Sequence, residues 1–174
     1  MEKKNKQKGA ALLELLVGIL LMALVATTLF AIMSTMVKSW RESSSKLEVL
    51  HTARYVVDSM VRELRYADQY VLESPTRLTF RNKGLGGTVG NTYCYYLSPV
   101  DRKMYRMGPD ASPQPMSGAN VAGASTVELY AGENGLFVVS GSETAEITLI
   151  AVDSMSGQRV TIHAAVTGIT DYLK

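Results

Sequence analysis

Two histidines, one cysteine and a scatter of carboxylates are the residues of this 174-residue chain that could serve catalysis or bind a metal. His51 and His163 lie far apart, and neither belongs to an H-x-x-H or C-x-x-C spacing, so both read as structural. Cys94 has no second cysteine to bridge to and reads as a small filler within a strand. A reactive thiol needs an electropositive, accessible setting, and nothing around Cys94 supplies one. Gly84-Leu-Gly-Gly-Thr-Val-Gly90 contains a G-x-G, but between two strands it leaves no helix N-terminus for a phosphate. No P-loop and no G-x-S-x-G stands in the right context. Asp110, Asn120, Glu133, Asn134 and Asp153 carry oxygens suited to calcium without an EF-hand order, and turn chemistry accounts for them. Tyr93, Tyr95 and Tyr96 lack the basic neighbours of a nucleotide-stacking surface and read as strand packing. The expectation is a protein without enzymatic activity, cofactor, metal site or direct nucleic-acid binding.

Glu14 is the exception. From Ala10 to Val37 every other residue is apolar, small or a hydroxyl residue. About 20 apolar residues at 1.5 Å rise cross a roughly 30 Å hydrocarbon layer, so this run reads as a transmembrane helix. A carboxylate within such a run costs on the order of 2.5–3.5 kcal/mol at its centre and less towards its ends, so its presence suggests a task. Two plainer readings stand beside that one: a charge tolerated near the membrane edge, and a first-turn acid offsetting the helix dipole.

Lys3, Lys4, Lys6 and Lys8 precede the run. Dense basic charge on that side predicts an N-terminus in the cytoplasm and a translocated remainder, against weaker competition from Lys38 and Arg41. The formal net charge of +2 comes from this leader, and without residues 1–9 the chain is close to neutral. Such a body offers no electrostatic case for non-specific binding to nucleic acid. A cleaved secretory signal is disfavoured, because the run is too long and no A-x-A exit precedes Lys38.

The segment Lys8-Gly9-Ala10-Ala11-Leu12-Leu13-Glu14 resembles the class III signal of type IV prepilins and pseudopilins. The resemblance implies that a prepilin peptidase cuts between Gly9 and Ala10, that Ala10 becomes the N-methylated mature terminus, and that Glu14 is the family's glutamate at the fifth mature position. Ala10 stands where phenylalanine is commonest and Ala11 where threonine is usual. The new amine lies one helical turn from Glu14, and in a helical stack a neighbouring subunit's amine would supply the counter-charge that lipid denies. More softly, Val61-Arg-Glu-Leu-Arg-Tyr-Ala67, Leu78-Thr-Phe-Arg81, Thr92-Tyr-Cys-Tyr-Tyr-Leu97 and Lys103-Met-Tyr-Arg106 resemble J-type minor pseudopilins and W-type minor pilins. Ala31 stands where major pilins usually place a helix-breaking proline, which favours a minor subunit.

These residues must be positioned by a long helix. No proline occurs before Pro75, and Ala10 to about Asp68 reads as one helix. Its second half carries Val37, Trp40, Leu47, Leu50, Val57, Met60, Val61, Leu64 and Ala67 at three- and four-residue spacing, an apolar face. Arg41, Glu42, Lys46, Glu48, Arg54, Asp58, Arg62, Glu63 and Arg65 are expected opposite, with a charge ladder through Asp58. Ser43-Ser44-Ser45 lowers helix propensity and is the expected site of a bend or frayed turn.

Leu72-Glu-Ser-Pro75 is expected to break the helix. Strands follow at Arg77–Arg81, Thr92–Leu97, Lys103–Met107, Thr126–Ala131, Leu136–Ser140, Ala145–Val152 and Gln158–Val166. Turns are expected at Ser98–Arg102, Gly132–Gly135 and Ser154–Gly157. Lys83–Gly90 reads as a flexible loop and Gly108–Ser125 as a long surface loop.

A helix followed by a run of strands predicts an α+β fold, with the long N-terminal helix packed on an antiparallel β-rich head. The expected organisation is a leader at 1–9, a transmembrane and assembly half at 10–37, an amphipathic half at 38–70 and a head at 71–174.

The functional expectation is a minor pilin or pseudopilin of a type IV pilus-like, type II secretion or DNA-uptake fibre. Its expected partners are prepilin peptidase, other major and minor subunits, an inner-membrane assembly platform and the cytoplasmic membrane. The alternative is a signal-anchored single-pass protein whose outer head binds a ligand or senses envelope conditions.

Overall fold

Without a proline to interrupt it, helical hydrogen bonding runs from Glu2 to Leu64 as α1. The computed structural model describes residues 2–82, 90–109, 112–117, 127–141 and 144–168, with side chains described from Leu12 onward except at Asp68. The chain divides into two compact units, Met1–Ser43 and Ser44–Lys174. Ser43–Ser45, the expected weak point, is helical throughout.

In the second unit α1 is followed by nine strands. β1 (Ala67–Ser74), β2 (Arg77–Asn82), β3 (Thr92–Leu97), β4 (Met104–Met107) and β5 (Gln114–Pro115) form an antiparallel meander in chain order. β6 (Val127–Ala131), β7 (Phe137–Ser140), β8 (Thr144–Asp153) and β9 (Arg159–Thr167) form a second antiparallel sheet. In it β9 runs along one side of β8, while β6 and β7 pair with successive halves of the other. The fold is α+β, a long helix packed on antiparallel sheets.

The strand expected at Thr92–Leu97 has those bounds, and the later strands differ from expectation by one residue at one end or, for β8 and β9, at both. β1 is the correction. Residues 67–74 were expected to finish the helix and break it, yet they form an eight-residue strand paired with β2 through the two-residue turn Pro75–Thr76. The helix ends without a glycine or proline, through one tightened turn in which Tyr66 N–H bonds to Glu63 C=O at 3.1 Å. Tyr70, Val71 and Leu72 then favour the pleated backbone, and the register slips at both ends of β1 mark bulges. β5, within the expected Gly108–Ser125 loop, is a second correction; residues 110–111 and 118–125 of that loop, and 83–89 of the other, lie outside those described.

The buried face of α1 is Val49, Ala53, Val56, Val57, Met60 and Leu64. This stripe is rotated from the expected one. Leu47 is 55 % exposed, Trp40 is 71 % exposed, and Leu50 and Val61 are half-buried. The core adds Leu78, Phe80, Tyr95 and Met104 from the first sheet and Leu129, Phe137, Ile147 and Leu149 from the second. Phe80 stacks on Tyr95 at 5.1 Å between ring centroids and on Tyr93 at 5.7 Å. Each such side chain contributes roughly 1.5–3 kcal/mol by leaving water.

Main-chain bonds join the sheets. Leu136 and Phe137 N–H both donate to Pro75 C=O, at 2.7 and 3.1 Å, and Leu129 N–H donates to Arg102 C=O at 2.8 Å. Gly135 adopts φ +104° beside this joint, and an added Cβ would stand 2.8 Å from the Pro75 Cβ. Only glycine fits there.

Candidate functional site

An apolar side chain in a folded protein is normally covered by another part of the chain. In the first unit this does not happen: every side chain from Leu12 to Ser43 is exposed. Leu12–Val37 presents leucine, isoleucine, valine, methionine and phenylalanine on all sides of the helix, which suits a lipid or protein surrounding better than water. It is the one helix, among the described residues, long and apolar enough to cross a membrane.

The polar atoms of the segment are arranged for such a surrounding. Thr27, Thr28, Ser34 and Thr35 donate their hydroxyls to the carbonyls of Leu24, Val25, Ala31 and Ile32, at 2.8–2.9 Å. Each hydroxyl is satisfied within its own helix and leaves no donor seeking water. The three-residue reach back to a carbonyl was available in the sequence as hydroxyl residues set in an apolar helix.

Glu14 is the sole ionisable residue between Leu12 and Val37. It is exposed, and among the described residues it has no ion-pair or hydrogen-bond partner. Gly9 and Ala10 lie within α1, Ala10 one turn before Glu14; the side chain of Ala10 is outside those described. An open surface continues on the other side of Glu14, where Gly18 has no atom within 4 Å of the position a Cβ would take. The three expected site residues therefore share one helix, with Ala10 at the i, i+4 spacing that places it one turn before Glu14.

In the second unit two polar clusters hold α1 to the sheets, and both escape a reading of the sequence. Glu63, expected on the solvent side, accepts from the Tyr95 hydroxyl at 2.6 Å and from Arg106 Nε at 2.9 Å. Arg106 also lies over the Tyr93 ring, 4.6 Å from its centroid. Burial first, and then the Glu63 carboxylate, push the Tyr95 hydroxyl far above the usual phenol range. The second cluster centres on Asp153, 1 % exposed at the end of β8. Its Oδ2 accepts from Ser45 Oγ of α1, from Ser156 Oγ at 2.5 Å and from Ser156 N–H at 3.2 Å, while Met155 N–H donates to Oδ1 at 3.2 Å. Burial alone would raise the Asp153 carboxyl, but the bonds from Ser156, Ser45 and the turn outweigh it and hold the group below the usual range.

The remaining reactive side chains are not brought together. His51 is exposed on α1, and His163 Nδ1 stands 3.1 Å from Thr148 Oγ1 on the outer face of β8 and β9. Cys94 is buried in β3, as expected of a filler. Among the described residues no three His, Cys, Asp or Glu side chains approach as metal ligands do. Asp110 and Asn120 are outside them. Ion pairs within 4.0 Å join Arg77 to Glu73 and Arg106 to Glu63; the expected ladder through Asp58 is not formed among the described residues. No family model, curated protein or solved structure matches the chain.

Proposed function

We propose that the protein is a minor pilin or pseudopilin, a structural subunit stored in the cytoplasmic membrane and moved into a fibre. A prepilin peptidase cuts the Gly9–Ala10 bond, Ala10 is N-methylated, and the second unit sits outside the cytoplasm. The observation that carries this reading is an apolar helix, exposed from Leu12 to Val37, with one carboxylate a single turn from Ala10 that has no partner among the described residues. A simple anchor has no use for that acid, which costs free energy in lipid. A subunit that must pass from lipid into a helical stack does, because a neighbour's amine at Ala10 neutralises it only in the assembled state. The head then works by contact with other subunits, and force comes from a separate assembly machine.

The test is Glu14→Val in cells that carry the peptidase and the assembly platform. The variant should be processed after Gly9 like the parent and fail to enter fibres. Incorporation at the parent level would contradict the proposal.

A further inference from the structure

Trp40 is the only tryptophan in the chain, and it is 71 % exposed on α1. Burial of an indole removes on the order of 150–250 Å² from water, so a lone uncovered tryptophan calls for an occupant outside the chain. No side chain from Leu12 to Ser44 is covered, so the indole is part of a continuous uncovered surface. Lys38 and Arg41, the first cations after the apolar run, flank it and are exposed as well. At about 100° per residue they point away from Trp40 around the helix, so one turn carries an indole on one side and two long cationic side chains on the other.

We propose that Lys38, Trp40 and Arg41 form a collar that seats α1 in the phosphate-bearing headgroup layer of a bilayer. This rests on the membrane-spanning reading of the segment. An indole prefers the boundary where its apolar rings meet hydrocarbon and its N–H meets water, and Lys and Arg extend their heads to phosphate at the same depth. The spacing supports it. Trp40 and Glu14 are separated by roughly 39 Å along the helix, while the hydrocarbon layer is about 30 Å and the whole bilayer about 40–45 Å. With Trp40 in one headgroup layer, Glu14 reaches the opposite one and escapes the bilayer centre. At that boundary the carboxylate costs less than at the bilayer centre, and the remaining cost is what a neighbour's amine removes once the helix leaves the membrane.

The sole tryptophan makes the test direct. Full-length protein is reconstituted into phosphatidylcholine vesicles brominated at shallow or deep acyl positions, and insertion is checked separately by flotation. The expected result is a blue-shifted emission, quenched more by shallow than by deep bromines. Lys38→Gln combined with Arg41→Gln should move the quenching towards the deep positions. Protein that floats but emits as indole in water, or is quenched most by deep bromines, overturns the collar and leaves the membrane reading standing. An indole shielded from bromines and from aqueous iodide alike would place a protein partner on it and overturn the collar too. Protein that fails to float overturns both.

Discussion

The carboxylate of Glu63 lies 2.6 Å from the hydroxyl of Tyr95, and so ties the last turn of α1 to the middle of β3. Arg106 on β4 completes the cluster, its Nε donating to the same Glu63 oxygen, Oε2, at 2.9 Å. Tyr95 is fully buried, so its hydroxyl depends on this acceptor. Tyr95→Phe should cost about 1–2 kcal/mol, one bond to a charged partner. Glu63→Leu should cost about 1–3 kcal/mol, because it strands the hydroxyl and uncouples Arg106; the Glu63 side chain is about one-third exposed, which moderates the charge contribution. Thermal unfolding of the full chain in detergent, alone and in a double-mutant cycle, reads both values and their coupling. Additive losses would show that the two residues act separately.

The two ends of the pH range should act on different residues. Asp153 is held below the usual carboxyl range, so its contribution is complete above about pH 4 and falls away as acid protonates the folded group. Asp153→Asn should therefore be less stable than the parent at neutral pH and lack its acid slope. Tyr70 is pushed up from 10.0 to about 12 by burial, and its hydroxyl donates to Leu64 C=O at 2.6 Å. A raised phenol contributes fully below about pH 10 and loses that contribution as pH rises towards 12. Melting curves of Tyr70→Phe should be flatter than the parent's across that alkaline window.

Gly135 gives a sharper contrast among glycines. Gly135, Gly141 and Gly157 all have positive φ, at 104°, 71° and 68°. At Gly141 and Gly157 a methyl group meets open space, so alanine should cost about 1–2 kcal/mol of left-handed strain. At Gly135 the same methyl group overlaps Pro75 at the joint between the sheets. Gly135→Ala should lower the melting temperature more than either other substitution.

Much of the fold could be read from residue order, because turns and strands announce themselves locally. Pro99 and Gly157 mark turns, and alternation in Arg77–Arg81 marks a strand whatever surrounds it. The beginning of β1 could not be read this way. Its helix end carries no breaker, and Ala67 continues the apolar spacing of α1 while already belonging to a strand. The rotation of the helix face has a similar origin: apolar residues occur on both Leu47–Leu50–Val61 and Val49–Ala53–Val56, and only the sheets select between them. Glu63 was misplaced, and the bond from Ser45 to Asp153 missed, for a further reason; the turn chemistry expected at Asp153 is present in its bonds from Met155 and Ser156. A charge is usually solvated, and the partners that offset its burial, Tyr95, Arg106 and Ser45, are distant in sequence. The isolation of Glu14 is legible because its context is local, one carboxylate in an apolar run.

The central claim rests on the bond between Gly9 and Ala10, and intact mass with N-terminal sequencing tests it most directly. The protein is purified from membranes of cells with active prepilin peptidase. The account predicts a chain that begins at Ala10 and carries one added methyl group on its amine. Retention of residues 1–9 under those conditions would contradict it.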